Sequence, residues 1–279
     1  MNEHNVGWTD YYKQRVSRNI GHLTLNEQEQ LRTSKIAIMG VGGLGGTLTD
    51  QLVRVGFQNI SICDRDVYDE SNLNRQLCTI ENLGEYKVNH LKSYLSKIDP
   101  NINITKYTSI TSKNVEYILK DVKVVALSLD DPIASIIIAR KCREKNIPMI
   151  ESWGIPYLWA YWFTSESIDY ESCYNLDTTS FSVDELEGLH LKSHIELFPR
   201  LIQFPSFQEI YDREKGYFDK MINGDIPYRS FAPFVHMTAS YLAFEIIFAG
   251  ILNIKDKVLA PNVIGYDYLR MAPFSFQII

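Results

Sequence analysis

A glycine-rich loop after a short apolar segment is the first feature of this sequence that could do chemistry. Residues 35–39 predict a β-strand, and the loop Gly40-Val41-Gly42-Gly43-Leu44-Gly45 separates them from a predicted helix. In a strand–loop–helix unit, such glycines permit a tight turn, let phosphate approach the backbone and let the helix pack closely. No Gly-Lys-Ser/Thr follows, which excludes a Walker A loop. The loop predicts a nucleotide site but does not choose between NAD, FAD and ATP.

Polar and cationic side chains follow the second predicted strand, 59–63. They are Asp64, Asp66, Asn72, Arg75, Gln76 and Lys87. Asp64 lies 19 residues after Gly45, where an acidic side chain commonly binds ribose hydroxyls. Arg75 and Lys87 suit a polyphosphate, because charge-assisted hydrogen bonds to phosphate are the strong ones. No second nucleotide half or hydride-transfer site is evident, so the cluster favours ATP over NAD.

Two adjacent carboxylates follow the strand predicted at 122–128. Asp130 would lie over the ligand crevice at the carboxyl end of that strand, where it could hold Mg²⁺. Asp131 could share the ion, but it precedes Pro132 and is favoured as the cap of the next helix.

With Arg18 in Arg15-Val16-Ser17-Arg18-Asn19-Ile20, these motifs make the sequence resemble one enzyme family. The family is ThiF/MoeB/HesA, the bacterial relatives of ubiquitin-activating enzymes. The resemblance also rests on the glycine loop, Asp64-x-Asp66, Ser71-Asn72-Leu73-Asn74-Arg75-Gln76, Lys87 and Asp130. It extends from about residue 10 to about residue 270, nearly the whole chain.

The resemblance implies ATP-dependent adenylation of the C-terminal carboxylate of a peptide or small ubiquitin-like protein, with release of pyrophosphate. It places the adenosine near Gly42, the ribose at Asp64 and Mg²⁺ at Asp130. Arg75 and Lys87, with Asn72 and Gln76, would surround the triphosphate. Arg18 would reach the site across the interface of a homodimer. Two alternatives stay open: a catalytically silent scaffold that presents a peptide to a modifying enzyme, and an NAD-dependent oxidoreductase.

The four cysteines limit the steps that are possible after adenylation. Cys63, Cys78, Cys142 and Cys173 form no C-x-x-C pair, and residues 174–279 contain no cysteine. A tetrathiolate zinc site is therefore not predicted. We expect the reaction to stop at the adenylate or to pass the acyl group to a nucleophile other than a cysteine of this chain. The resemblance offers a microcin-type case, in which an amide nitrogen of the adenylated peptide captures its own end.

Charge and hydropathy exclude several classes of partner. The net charge of -6 and the pI of about 5.6 argue against a nucleic-acid surface. The apolar segment 233–251 contains His236, Ser240 and Glu245, so it predicts a buried helix rather than a membrane span. Scattered thiols without a signal peptide predict a cytoplasmic protein.

Alternating strand-length and helix-length segments predict a Rossmann-like α/β fold with a mostly parallel sheet and flanking helices. We expect a helical arm at 1–34, with a cap at Asn26, and an ATP-binding adenylation domain at 35–279. Residues 165–230 would form a long, substrate-related loop region in the C-terminal half. Predicted strands are 35–39, 59–63, 102–107, 122–128, 147–152, 158–164, 262–266 and 275–279, and predicted helices include 44–55, 86–98, 114–119, 132–145 and 233–251. His190 and His194 have helical spacing but no third ligand, and they predict no metal site.

Overall fold

One eight-stranded sheet organises the chain, in the order β3-β2-β1-β4-β5-β6-β7-β8. The computed structural model describes residues 7–189 and 205–279. The strands are β1 (Lys35–Met39), β2 (Asn59–Cys63), β3 (Asn103–Tyr107), β4 (Val122–Leu127), β5 (Met149–Glu151), β6 (Tyr157–Phe163), β7 (Asn262–Asp267) and β8 (Ala272–Gln277). The α-helices are α1 (Asp10–Val16), α2 (Leu25–Thr33), α3 (Gly43–Val55), α4 (Lys87–Ile98), α5 (Val115–Ile118), α6 (Pro132–Glu144), α7 (Tyr170–Tyr174), α8 (Val183–Leu186), α9 (Pro205–Tyr211), α10 (Tyr217–Ile222) and α11 (Ala232–Glu245).

The sheet has a parallel half and an antiparallel half. Strands β3, β2, β1, β4 and β5 pair in parallel, whereas β6, β7 and β8 each pair antiparallel with the preceding strand. The predicted α/β fold, with a mostly parallel sheet and flanking helices, is confirmed. Strands β1, β2 and β4 are almost wholly buried, as expected where helices cover both faces of a parallel sheet.

Alternate residues of β1 belong to two separate cores. Ile36 and Ile38 join the cluster that includes Leu48 of α3. Ala37 and Met39 face the other way and join the cluster built around α6. This alternation follows from the two-residue side-chain period of a strand.

The helix predicted at 233–251 begins at Ala232 and packs against α3 and β6. After Glu245 the chain continues as a π-helix, Ile246–Ile251. Ala232–Ile251 is long and apolar enough to span a membrane, but 56% of its apolar 18-residue stretch is buried inside the protein. Its burial against α3 and the sheet is that of a core helix.

The N-terminal helices pack at the end of α3 remote from the glycine loop. The hydroxyl of Tyr12 donates to the carbonyl of Gly56 at 2.8 Å, and Arg15 forms an ion pair with Asp99. The predicted cap at Asn26 is wrong. Thr24 caps α2 in a capping box with Glu27, because its hydroxyl accepts from the N–H three residues later.

Two further expectations are corrected or lie outside the structure. The last strand begins at Ala272 rather than at 275, because an edge strand tolerates Pro273, which lacks an N–H. His190 and His194 lie outside the described residues.

The predicted loop region 165–230 contains four short helices, α7 to α10, in its described part. We call residues 165–230 the excursion. Its anchor is Arg140 on α6, whose guanidinium donates to both carboxylate oxygens of Glu171 at 2.7 Å. The same guanidinium donates to the carbonyls of Thr178 and Phe181. One arginine of α6 thus fixes the first part of the excursion to that helix.

Replacing this anchor tests how the excursion is held. Arg140→Ala would leave the buried Glu171 carboxylate unpaired, so we expect the free energy of unfolding to fall by about 3 kcal/mol. The exposed pair of Arg54 and Asp50 offers a control, where Arg54→Ala costs less than about 1 kcal/mol. Urea unfolding measures both losses. Equal losses would show that Arg140 is an ordinary surface cation.

Candidate functional site

The glycines of the loop have different physical reasons to be there. Gly40 has φ +89°, and a Cβ at this position would lie 2.2 Å from the carbonyl oxygen of Ser128 on the neighbouring chain segment. A Cβ at Gly45 would lie 1.8 Å from the carbonyl oxygen of Gly40. At Gly42, in contrast, a Cβ would only touch the Gln76 side chain at 3.7 Å. Gly40 and Gly45 are thus required because backbone atoms approach them too closely for a side chain. Gly42 instead leaves open space at the pocket.

The N-terminus of α3 faces this open space without a side-chain cap. Gly42 is its N-cap residue and makes no side-chain cap hydrogen bond. The first N–H groups of a 13-residue helix therefore remain directed at the pocket, together with the positive end of the helix dipole. Such a terminus is suited to bind phosphate.

Asp64 fixes the loop from the end of β2. Its carboxylate accepts hydrogen bonds from the N–H of Val41 at 2.8 Å and from the N–H of Asp66 at 2.9 Å. Only 8% of the residue is exposed, and this burial raises the pKa of Asp64 while nearby Lys87 opposes the rise. Asp64 also lines the pocket. The side chain that is predicted to bind the ribose is therefore the one that holds the glycine loop.

Lys87 and Asp66 form an ion pair at the pocket wall. Lys87 is only 6% exposed, and its Nζ lies 2.9 Å from Oδ2 of the more exposed Asp66. A buried ammonium needs a partner, because an unpaired charge is costly away from water. The Asp66 carboxylate thus holds Lys87, which the sequence predicts to bind phosphate, at the wall of the cavity.

The segment 70–76 carries Arg75 and three amide side chains, those of Asn72, Asn74 and Gln76. The Arg75 guanidinium donates to the Ser71 carbonyl at 3.0 Å and to Asn74 Oδ1 at 2.8 Å, both neutral acceptors. Asn72 Oδ1 and Gln76 Oε1 are buried and have no hydrogen-bond partner among the described residues. Buried polar atoms are normally paired, so these two acceptors suit a ligand with hydroxyl or amino donors, such as a nucleoside.

Asp130 and Asp131 differ in what they contact. Asp131 caps α6, since its Oδ1 accepts from the N–H groups of Ile133 and Ala134, and its Oδ2 pairs with Arg65 at 2.9 Å. The prediction for Asp131 is confirmed. Asp130 opens to the pocket, but surrounding protein desolvates it and raises its pKa, an effect that Lys87 opposes.

Within the described ranges, Asp130 forms no hydrogen bond or ion pair, and no three potential ligand side chains converge on one metal position. A magnesium ion fits here only if the nucleotide supplies most of its oxygen ligands, as is usual for Mg²⁺ with phosphates. The metal role of Asp130 stays a prediction.

All these groups line one cavity of about 1100 Å³. We divide its lining by residue type and call one set the polar half: Gly40, Gly42, Gly43, Asp64, Asp66, Asn72, Arg75, Gln76, Lys87 and Asp130. The other set, the aromatic half, comprises Glu151, Trp153, Ile155, Leu189, Tyr211, Tyr228 and Arg229. Ligand pockets usually measure about 300–1,000 Å³, so this cavity has room for more than a nucleotide.

The aromatic half was not anticipated from the sequence, with Glu151 as its main omission. Glu151 ends β5 and is 4% exposed, and this burial raises its pKa to about 7, against hydrogen bonds from Tyr174 and Tyr161. The signal was available, because Glu151 ends a parallel strand just as Asp130 follows one.

Arg18 lies away from the cavity of its own chain. It is exposed in a 3-10 turn whose neighbour Asn19 donates to the carbonyl of Val55, at the far end of α3. A 13-residue helix spans roughly 20 Å, which separates Arg18 from Gly42. Arg18 is therefore not among the residues that line the cavity of its own chain.

The cysteines are poor nucleophiles. Cys63 lines the cavity, but burial raises its pKa to about 12. Cys142 and Cys173 are buried, and burial raises the pKa of the partly exposed Cys78. A thiol that stays protonated is a weak nucleophile. Cys63, Cys142 and Cys173 belong to the buried core, whereas Cys78 is only partly buried.

Comparisons with known proteins identify the family of the chain. A model of the ThiF family matches residues 16–278. The adenylyltransferase and sulfurtransferase UBA4 of Meyerozyma guilliermondii is 34% identical over 147 residues, which are 52% of this chain and 34% of that protein. SUMO-activating enzyme subunit 2 of Dictyostelium discoideum is 35% identical over 149 residues, which are 52% of this chain and 22% of that protein. The chain matches no more than about a third of the length of these two curated relatives.

Two solved structures share the fold. The crystal structure of PaaA gives a TM-score of 0.66 at 19% identity and covers 100% of this chain and 76% of that chain. The crystal structure of E. coli MccB with ATP gives a TM-score of 0.65 at 19% identity and covers 97% of this chain and 73% of that chain.

Alanine at two of the glycines separates binding from folding. In Gly42→Ala the methyl group fills the open space, so we expect an intact fold but an affinity for Mg-ATP lower by roughly tenfold or more. In Gly45→Ala the methyl group meets backbone, and we expect the free energy of unfolding to fall by about 2 kcal/mol or more. Calorimetric titration and thermal unfolding measure the two effects. A Gly42→Ala variant with unchanged Mg-ATP affinity would place the phosphates elsewhere.

Proposed function

Because the chain belongs to the ThiF family, we propose that it uses Mg-ATP to adenylate the C-terminal carboxylate of a peptide or small protein, with release of pyrophosphate. The observation that carries the proposal is the polar half of the cavity. It combines an uncapped helix N-terminus, two cations and the Asp130 carboxylate at the ends of adjacent parallel strands. The names of the relatives UBA4 and SUMO-activating enzyme subunit 2 support the same chemistry.

In this proposal the nucleotide occupies the polar half. The phosphates lie at the N-terminus of α3 beside Gly42, and the ribose binds Asp64. The resemblance places Asn72 and Gln76 beside the triphosphate, but their unpaired side-chain oxygens are acceptors and suit the donors of the nucleoside instead. The solved structures of MccB with ATP and with MccA support a nucleotide and a second substrate on this fold.

The reaction is a displacement at the α-phosphorus. A carboxylate oxygen of the substrate forms the new P–O bond, the bond to the β-phosphate oxygen breaks, and pyrophosphate leaves with that electron pair. Mg²⁺, held with Asp130, would neutralise phosphate charge as the pyrophosphate departs. Two anions must approach each other, so cations fixed beforehand lower the barrier. Arg75 and Lys87 fill this role, with Lys87 exchanging Asp66 for phosphate oxygen.

The acyl substrate then occupies the aromatic half. Residues 228–230 form one wall, and they are tied to the polar half because Asn74 donates to the Ser230 carbonyl at 2.9 Å. Tyr228 and Tyr211 offer apolar surface to a peptide end, while Arg229, stacked over Tyr217, has no carboxylate partner among the described residues. Since the chain offers no activated thiol, we propose that the acyl adenylate is released or captured by a nucleophile of the substrate or of a partner.

Pyrophosphate exchange tests the proposed chemistry. With a carboxylate substrate present, the wild-type protein should exchange radiolabelled pyrophosphate into ATP, and Arg75→Ala and Asp130→Ala should each lower the rate by on the order of 10². Arg54→Ala, a surface variant, should exchange as wild type does. Mg-ATP binding without exchange for any peptide would favour the silent scaffold. NADH binding without ATP binding would favour the oxidoreductase.

We also propose that a homodimer completes the site by bringing Arg18 across its interface. Arg18→Ala and Asp130→Ala chains would each be inactive alone. In an equal mixture, half of the dimers would combine the two variants and hold one intact site, so about a quarter of wild-type exchange should return. Mixtures that recover no activity, from chains shown to be dimeric, would contradict a role for Arg18 in the partner's site.

A further inference from the structure

A buried hydrogen-bonded chain connects the cavity wall to a carboxyl group that the proposed reaction does not use. Trp153, in the aromatic half, donates its indole N–H to the Tyr161 hydroxyl at 3.3 Å. The hydroxyls of Tyr161 and Tyr174 are in direct hydrogen-bond contact. Tyr174 donates to Glu151 Oε2 at 2.6 Å, and Tyr161 lies 3.3 Å from the same oxygen. Glu151, Tyr161 and Tyr174 are all buried.

The donor inventory gives this chain a direction. An indole nitrogen only donates, so the Tyr161 oxygen accepts from Trp153 and its own proton is available to Tyr174 or Glu151. An ionised carboxylate only accepts, and it is the natural end of a chain of donors. Each hydrogen bond that ends on the charged form is about twice as strong as one between neutral groups.

The same residues shape the cavity wall. Residues 152–156 link β5 to β6 and follow Glu151 directly, and Trp153, Gly154 and Ile155 line the cavity. Trp159 on β6 supports the link by donating its indole N–H to the Trp153 carbonyl at 3.1 Å. The position of this wall therefore depends on contacts made by β5, β6 and α7 together.

We propose that Glu151 is a proton-sensitive positioning residue. Its ionised form tightens the chain through Tyr174 and Tyr161 and holds Trp153 and the segment 152–156 in place, and its protonation loosens that wall of the cavity. The inference concerns the shape of the cavity and does not depend on the adenylation chemistry.

The groups around Glu151 allow such a titration near neutral pH. The titratable side chains that interact with it are Tyr161 from β6 and Tyr170 and Tyr174 from α7, and Cys173 lies beside these tyrosines. Burial raises the pKa of the three phenols well above their ordinary value, so they stay neutral. No charged side chain among the described residues forms an ion pair with Glu151. Burial raises the pKa of Glu151 to about 7, against the two tyrosine hydrogen bonds.

Stability and local order should then change with pH in opposite directions. A carboxyl group whose folded pKa lies above its unfolded value stabilises the fold while protonated, so stability falls as the pH rises from about 4.5 to about 7. The proposed tightening of the wall increases as the pH rises through about 7. A carboxyl group with a purely structural role would show only the first effect.

Nitrogen-15 NMR of the full chain tests the proposal, with the Trp153 indole N–H assigned by Trp153→Phe. In the wild type, we expect this resonance to titrate near pH 7 and its hydrogen exchange, corrected for intrinsic rate, to slow by roughly fivefold between pH 6 and pH 8. Glu151→Gln, which is isosteric and uncharged, should abolish both changes. Glu187→Gln, at another carboxylate lining the cavity, should keep them.

Tyr174→Phe provides a second test that keeps the carboxyl group. Loss of the stronger hydrogen bond should raise the midpoint for Glu151 above that of the wild type and reduce the response of Trp153. A Trp153 resonance that does not change between pH 6 and pH 8 in the wild type would overturn the proposal. A Trp153 resonance that titrates in Glu151→Gln as it does in the wild type would also overturn it. If Glu151→Gln does not fold, an unchanged titration of Trp153 in Tyr174→Phe would overturn it instead.

Discussion

The close approach of β1 and β4 at their carboxyl ends is the constraint on which the candidate site depends. The N–H of Ser128 donates to the Met39 carbonyl at 2.7 Å, and its hydroxyl donates to the Gly40 carbonyl at 2.8 Å. The N–H of Gly40 in turn donates to the Cys63 carbonyl at the end of β2. No side chain fits between these backbones, so glycine is required at position 40. The packing of the ends of β2, β1 and β4 thus fixes the path of the glycine loop into α3. It places Asp64 and Asp130 on either side of the loop.

This arrangement brings many charged groups into a small volume, and the protein balances them before any ligand arrives. Lys87 is held by Asp66, Arg65 by Asp131, and Arg75 by neutral oxygens. These partners fix the side chains, which reduces the reorganisation needed when a polyanion binds. Asp66 and Asp131 are more exposed than the core carboxylate Asp64. The groups that an anion would displace therefore regain water when released.

Much of the polar half could be predicted from the sequence, because its residues lie within a few positions of strand ends. The parallel strands are recognisable as apolar runs. Asp64, Asp130 and Glu151 each lie at the carboxyl end of such a run, and therefore at the same edge of the sheet. The cap at Asp131 followed from the proline beside it. The cap of α2 could not be predicted in this way, because Thr24 and Asn26 are both good N-cap residues. Only the capping box that Thr24 forms with Glu27 decides between them. The start of β8 was missed because Pro273 indicates a strand breaker until the strand is known to be at an edge.

The aromatic half could not be predicted, because it is assembled from distant segments without a common period. It is nonetheless fixed at separate points: Arg140 binds Glu171, Ser112 donates its N–H to Glu187 at 2.6 Å, and Asn74 binds the Ser230 carbonyl. In its described part the excursion also contacts the sheet directly, because the N–H of Phe207 donates to the Tyr157 hydroxyl of β6 and Ser206 bonds to Asp267 of β7. The division of the cavity into two halves suits an enzyme whose nucleotide is constant and whose acyl substrate is particular to the protein. Glu151 is the last residue of β5 and directly precedes segment 152–156, so it joins the sheet to the wall of the aromatic half.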